Sequence, residues 1–263
     1  MNIPKVLEIK KIIRESATVK TFIFDWEVEE EIPGQFMMIW NFLDEKPMSL
    51  SMINSLDNQI GFTIRNVGEF TGELHKLKPG DKLGIRGPYG RGFEISGSKI
   101  LAVGGGVGMA PLAALSEEAS RRDVKVDIIS AAATQDELLF MDRLKNTNKL
   151  RACTDDGTYG FCGFGTELAD AMLKSNNYDM MVTCGPEVMM SKVAHLADKY
   201  HLPAQFSLER YMKCGVGICG QCCVDSTGWR ICKEGPVFWR DELKLITEFG
   251  KYRRDSAGRK EMF

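Results

Sequence analysis

The sequence predicts a multi-domain α+β protein: an N-terminal antiparallel six-stranded β-barrel, a central doubly wound parallel α/β domain and a small C-terminal cysteine module. Three observations carry this. Short β-runs separated by turn signals fill residues 1 to about 95, strands alternate with helices from Lys99, and that alternation stops at Arg210, where five of the eight cysteines gather within residues 211–238. The expected boundaries are 1–96, 97–208 and 209–263.

The N-terminal runs are KVLEIKKIIRE, TVKTFIFDW, GQFMMIWNF, SLSMINS, QIGFTIRNV and DKLGIRGPYG. TVKTFIFDW alternates with the period of two that a half-buried strand requires, and Pro33-Gly34 and Pro79-Gly80 mark turns. Runs of this spacing fit a small barrel or sandwich. From Lys99 the order is the strand KILAV, a glycine loop and a helix, then the strand VKVDIISAAA, the helical DELLFMDRLKN and the strand LRACTDDG. A helix near Glu167 to Ser175, the strand YDMMVTCGP, a helix over Val188 to Tyr200 and the run PAQFSLE follow. Such alternation indicates a parallel sheet with helices on both faces. After the cysteines, a charged tail is expected to be helical over Glu242 to Phe249 and frayed beyond.

Composition excludes several function classes. With 44% hydrophobic residues in 263 the chain can build full cores, and a net charge of -2 without charge blocks gives nucleic acid or an anionic membrane no purchase. The longest uncharged segment, Ile100 to Ser116, holds four glycines and Pro111, and falls short of the ~18–20 apolar residues of a membrane span. The first thirty residues lack the apolar run of a signal peptide, so a cytoplasmic setting with reduced thiols is expected.

Cys214, Cys219 and Cys222 form C-x4-C-x2-C, and Cys232 follows after nine intervening residues. This is the plant-type [2Fe–2S] ligand spacing. Four thiolates must converge on two irons, and Gly215, Gly217 and Gly220 supply the dihedrals and the close backbone approach that such a loop needs. Two other readings stay open here: a structural zinc site, although zinc ligands usually come two by two, and buried free thiols. Cys223, beside Cys222, points elsewhere in an extended loop and is read as a bystander.

In LAVGGGVGMAP, Leu101 to Pro111, a strand ends on Gly104, Gly105, Gly106 and Gly108 before a helix begins. Backbone amides at such a helix start receive a pyrophosphate. The strict G-x-G-x-x-G fingerprint fails, because Met109 stands at its third glycine; a tight turn in any α/β protein is the alternative. Asp155 and Asp156 offer acceptors for ribose hydroxyls, and Cys184, Gly185 and Pro186 end another strand at the same crevice. No Lys or Arg lies between Asp127 and Arg143 to meet a 2′-phosphate, which favours NAD over NADP. In the β-rich half, KPMSLS (residues 46–51) and TIRNVGEFT (residues 63–71) bring cations and hydroxyls together. An electron carrier joined to a nucleotide domain needs an intermediary between hydride and single electrons, which a flavin supplies. Surface charge is the plainer reading of Lys46 and Arg65.

Taken in order, GQF, KPMSLS, VGEFT, KPGDKLGIRGPYGRGF, GGGVGMAPL, DELLF, TDDGTYG, CGP, SLERYMKCGVGICGQC and CKEGPVF resemble the electron-transfer subunit of the NAD-dependent, two-subunit dihydroorotate dehydrogenases, within the ferredoxin reductase superfamily. The resemblance covers nearly the whole chain. It implies FAD against the barrel, with Lys46, Pro47, Met48, Ser49, Ile64, Arg65, Asn66, Phe70 and Thr71 contributing and Ser49 near the flavin N5 edge. It implies NAD in the α/β crevice and a [2Fe–2S] cluster on Cys214, Cys219, Cys222 and Cys232. It further implies an FMN-containing catalytic partner subunit, two of each in a heterotetramer, with electrons running from FMN through the cluster and FAD to NAD in UMP biosynthesis. Lys46 replaces the family's usual Arg, giving a point charge instead of a planar fork, and Met48 replaces an aromatic or branched residue. No catalytic acid or base is identified, and His75, His195 and His201 lie outside every motif. The alternatives are a flavin and [2Fe–2S] subunit of another complex, such as a ferredoxin:NADP transhydrogenase or a sulfide- or hydrogen-linked oxidoreductase, and a zinc-stabilised binding module without flavin.

Overall fold

A computed structural model describes residues 3–29, 31–145 and 149–263. The N-terminal part comprises β1 (Lys5–Glu8), β2 (Lys11–Arg14), β3 (Val19–Asp25), β4 (Phe36–Trp40), β5 (Glu45–Asn54), β6 (Gln59–Arg65), α1 (Glu69–Lys76) and β7 (Lys82–Tyr89). Its antiparallel sheet has seven strands, in the order β1-β7-β4-β5-β6-β3-β2, where six were expected. The extra strand comes from KVLEIKKIIRE, which bends after Glu8. Ile9 N–H donates to Asp81 O at 2.8 Å and Lys10 N–H to Ile23 O at 2.9 Å, so one run supplies both edges of the sheet. Phe22, Phe24, Phe62, Met37, Ile39 and Leu50 fill the interior. Burying each such side chain contributes about 1.5–3 kcal/mol.

The short helix α1 was not expected. Its signal is the hydroxyl of Thr71, which accepts the N–H groups of Val67 and Gly68 at 3.0 and 3.1 Å and so satisfies donors at the helix start. Gly68 and Gly72 on either side hide that cap within what reads as a loop.

The second sheet is built from β8 (Lys99–Gly105), β9 (Lys125–Ala132), β10 (Lys149–Thr154), β11 (Phe161–Cys162), β12 (Met180–Cys184), β13 (Ala204–Ser207) and β14 (Val237–Trp239), ordered β11-β10-β9-β8-β12-β13-β14. All pairings are parallel except β13–β14. The helices are α2 (Met109–Arg121), α3 (Met141–Leu144), α4 (Gly165–Ser175) and α5 (Glu187–Lys199). Ile100 and Ala102 share a core with Met109 and Leu112 of α2, while Leu101 and Val103 share one with Ala169 of α4 and Val193 of α5. The sheet is therefore apolar on both faces, as a doubly wound arrangement demands. The chain leaves β8 for β9 on one side and later places β12 on the other, which opens a crevice at the carboxyl ends of β8 and β12.

Two expected helices are shorter. In DELLFMDRLKN a single turn at Gln135–Glu137 precedes α3, because Phe140 takes a left-handed φ of 59° between them; Asn146 lies outside the described residues. In the tail, α6 (Arg240–Leu243) stops well before Phe249. Ile246 and Glu248 are both buried, and residues two apart cannot share one helical face. The end of the chain is a hairpin of β15 (Tyr252–Arg254) and β16 (Lys260–Met262), not a frayed tail. Among the described residues no helix is long and apolar enough to cross a membrane.

Candidate functional site

The cysteine loop owes its shape to Gly215, Gly217 and Gly220, with φ of 71°, 76° and 70°. A Cβ on Gly215 would also stand 2.8 Å from Met38 on β4, and one on Gly217 2.9 Å from Lys233, so the loop lies directly on its neighbours. The turns aim backbone donors at sulfur. Gly217 N–H donates to Cys232 Sγ at 3.1 Å, those of Ile218 and Cys219 to Cys214 Sγ at 3.4 Å, and that of Cys232 to Cys222 Sγ at 3.5 Å. Burial pushes the Cys214 thiol up, but the N–H groups of Cys219, Val216 and Ile218 outweigh it and bring the thiol down to about 6. The side-chain hydrogen bond with Cys232 is the largest influence bringing Cys222 down to about 7, and the same bond pushes Cys232 up.

Among the described residues no three His, Cys, Asp or Glu side chains gather round a single point. The four predicted thiols instead associate two by two, the N–H of Cys219 donating to Cys214 Sγ and that of Cys232 to Cys222 Sγ. Two thiol pairs ringed by inward N–H groups fit a pair of sulfide-bridged irons. Cys223 stands apart: its backbone bridges to Arg230, its N–H donates to Gly220 O at 3.1 Å, and burial raises its thiol.

At the crevice the predicted glycines divide by role. Gly104 is opposite Cys184 in the β8–β12 register. A Cβ on Gly104 would meet Met109 Sδ at 2.3 Å, one on Gly105 Pro186 Cδ at 2.7 Å, and one on Gly108 the Cys184 carbonyl oxygen at 2.3 Å. Gly104 thus makes room for the Met109 side chain and Gly105 for Pro186, while Gly108 lets the two loops pack closely, and a Cβ on Gly185, at φ 148°, would stand 2.9 Å from Gly105 N. Gly106, left-handed at φ 52°, is the open one; the nearest atom to its added Cβ is a guanidinium nitrogen of Arg65 at 4.0 Å. Met109 breaks the fingerprint because its buried side chain fills the space beneath Gly104. Burial pushes the Cys184 thiol up to about 12, so it stays neutral. Asp155 and Asp156 are exposed past the end of β10, one strand beyond β9; Asp156 accepts the N–H and hydroxyl of Thr158 at 3.0 and 2.7 Å.

Of the motifs on the N-terminal sheet, Arg65 reaches the glycine loop and Lys46 the cysteine segment. Lys46, Pro47, Met48 and Ser49 lie on β5 opposite Ile39, Met38, Met37 and Phe36. Lys46 Nζ is 2.6 Å from the Asp44 carboxylate and 5.5 Å from the Tyr211 ring, and its hydrogen bond lowers the Asp44 carboxyl. Arg65 ends β6 between Gly106 and the Glu137 carboxylate, 3.8 Å away. Ile64 is buried in the core of the N-terminal sheet, Asn66 is exposed, Phe70 packs half-buried against that core, and the Thr71 hydroxyl is engaged at the helix start. The structure thus brings Arg65 to the glycine loop and the cysteine loop to β4, while the side chain of Ile64 faces away from both.

The sequence profile of the iron–sulfur cluster binding domain of dihydroorotate dehydrogenase B matches residues 209–244. Over 99% of this chain and 98% of the relative, the sequence is 58% identical to a protein of Methanothermobacter thermautotrophicus named "Probable dihydroorotate dehydrogenase B (NAD(+)), electron transfer subunit". The chain belongs to this family of electron transfer subunits. A relative of the same name from Methanocaldococcus jannaschii is 51% identical over 99% of each chain. Among solved structures, one described as the NADH-dependent reduced ferredoxin-NADP oxidoreductase superposes with a TM-score of 0.82 at 27% identity, covering 93% of this chain and 94% of that one.

Several residues that build the electron transfer subunit escaped the sequence reading. Arg210, opening the cysteine segment, is buried between two carboxylates: its Nη1 lies 2.6 Å from Glu187 and its Nε 2.7 Å from Glu248. Glu187 begins α5 directly after Pro186, and Glu248 also accepts the Asp225 N–H at 2.9 Å. One ion network thus ties the crevice, the cysteine module and the tail. Arg230 grips Glu234 and donates to Gly217 O at 2.8 Å, bracing the loop from within. The strand β14 returns from the module to pair Phe238 with Phe206, stitching the module to the α/β sheet.

Proposed function

We propose that this subunit takes electrons from the FMN of a dihydroorotate dehydrogenase catalytic subunit and passes them to NAD through a [2Fe–2S] cluster and FAD, serving UMP biosynthesis in the cytoplasm as a heterotetramer of two of each subunit. Cys214, Cys219, Cys222 and Cys232 hold the cluster. Lys46 to Ser49 with Arg65, Asn66, Phe70 and Thr71 receive FAD, and Ile64 contributes through its main chain. Gly104, Gly105, Gly106, Gly108, Asp155, Asp156 and Cys184 to Pro186 line the NAD crevice. Residues 1–96, 97–208 and 209–263 are the corresponding domains. When bound, the flavin exchanges hydride with nicotinamide and single electrons with the cluster.

The observation that carries the reading is the set of four thiols each receiving an inward N–H group, on a loop seated against β4, the strand paired with the flavin-motif strand β5. The cation that ends the stretch without Lys or Arg after β9 supports NAD over NADP: Arg143 is committed to Glu117 at 2.7 Å and to Ser51 O at 2.8 Å. A ferredoxin:NADP transhydrogenase role draws on the solved neighbour at 27% identity, but the 58% and 51% relatives outweigh it.

Anaerobically purified protein is expected to contain FAD together with iron and acid-labile sulfide in equal amounts, with flavin bands over a broad red-shifted absorbance; a colourless, zinc-containing sample contradicts the proposal. A second prediction isolates the crevice. In Gly108→Ala the new methyl meets a backbone carbonyl at 2.3 Å, so the two loops must part. Overpacking of this kind costs about 1–3 kcal/mol, or roughly 10- to 100-fold in NADH affinity. Fluorescence titration with NADH should show that loss at unchanged FAD content, and unchanged affinity would remove Gly108 from the site.

A further inference from the structure

Arg86, on β7, belongs to no motif assigned to a cofactor, yet its side chain is only 12% exposed and its guanidinium makes four hydrogen bonds. Nε and Nη2 donate to the two oxygens of Glu45 at 2.6 and 2.5 Å, Nη1 donates to Tyr89 Oη at 3.0 Å, and Nη2 also donates to the backbone carbonyl of Cys214 at 2.9 Å. Glu45 immediately precedes Lys46 on β5. Arg86 pairs with Met38 across β4–β7, and Met38 is the residue on which Gly215 rests. One rigid fork therefore joins the strand of the flavin motif to the carbonyl of the first cysteine of the cluster loop. Only a planar guanidinium can hold a carboxylate with two parallel bonds while donating outward to a carbonyl.

We infer that the Arg86–Glu45 pair is a positioning device that fixes the cluster loop against the flavin strand and, because its charges balance, holds the reduction potential of the cluster between the values that either charge alone would give. The inference rests on the reading that Cys214 is a cluster ligand. Reduction adds a negative charge to the cluster, which a neighbouring cation favours and a neighbouring anion opposes; net charge and hydrogen bonding are the protein's usual means of setting such potentials. As a pair, Arg86 and Glu45 nearly cancel. Removing either one unbalances the site, and the two removals act in opposite directions.

The test is a redox titration of the complete protein, followed by the electron paramagnetic resonance signal of the reduced cluster. Arg86→Met should lower the midpoint and Glu45→Gln should raise it, each by roughly tenfold in the reduction equilibrium, about 59 mV for one electron. The double variant should return toward the parent value. Arg86→Lys keeps the charge but loses the fork, so its midpoint should stay near the parent's while electron transfer between cluster and flavin slows by about 10- to 100-fold, the usual cost of losing an outer-shell partner. If Arg86→Met fails to load iron, Glu45→Gln and Arg86→Lys decide the matter. Shifts of the same sign in the two single variants, or no shift, overturn the inference while leaving the cluster assignment intact. Absence of the cluster signal from the parent protein overturns that assignment and the inference with it.

Discussion

Cys222→Ser is expected to abolish the iron–sulfur absorbance and all reduction of NAD by dihydroorotate with the partner subunit, while FAD stays bound and NADH still reduces an artificial acceptor. Cys222 is buried, its sulfur accepts the N–H of Cys232, and it forms the inner thiol pair with Cys232. A hydroxyl at that position cannot supply the thiolate an iron requires. The flavin motifs lie on β5, β6 and α1, whose hydrogen-bond ladders do not involve residue 222, so flavin binding survives. Cys223→Ser should leave iron content and turnover unchanged, because among the described residues the other four sulfurs of the module each accept an N–H and that of Cys223 accepts none. Iron retained in Cys222→Ser but lost in Cys223→Ser would show that the neighbouring thiol is the ligand.

Arg210→Met should be the most destabilising substitution outside the hydrophobic cores. The guanidinium is flanked by Glu187 and Glu248, both buried, and the donor set also includes the Gly250 N–H to Glu187 at 2.9 Å. Removing the cation leaves two buried carboxylates with backbone N–H donors but no counter-charge. Breaking a buried ion pair in this way costs about 3–5 kcal/mol, although the intact network itself contributes little net stability. Denaturant unfolding of the complete protein should show the loss as a lower midpoint. NADH affinity should fall with it, since Glu187 anchors the helix that starts at the crevice. An unchanged midpoint would mean that water or rearranged neighbours replace the guanidinium.

What was legible beforehand follows the reach of each signal along the chain. The thiol spacing and its glycines are local, and the loop they form is the one expected. The strand–helix alternation from Lys99 likewise appears almost element for element, because buried parallel strands and amphipathic helices carry strong patterns. Features set by distant partners were hidden. Arg86 meets Cys214 across 128 residues, and Arg210 meets Glu248 across 38, so neither pairing leaves a mark in its own neighbourhood. The first run reads as one strand because only the two neighbours it pairs with reveal its bend. The tail reads as helical from its charges, whereas the burial of Glu248 beside Arg210 decides otherwise. The capping hydroxyl of Thr71 was visible in the sequence, but read as a cofactor contact it obscured the helix.

The decisive measurement is NAD reduction by dihydroorotate in a complex of this subunit with an FMN-containing catalytic subunit, prepared anaerobically with all cofactors loaded. NADH should form with the parent subunit and fail to form with Cys222→Ser, even though both bind the partner and retain FAD. Turnover that persists without the cluster, or its absence from a fully loaded and stable parent complex, would contradict the proposed electron path.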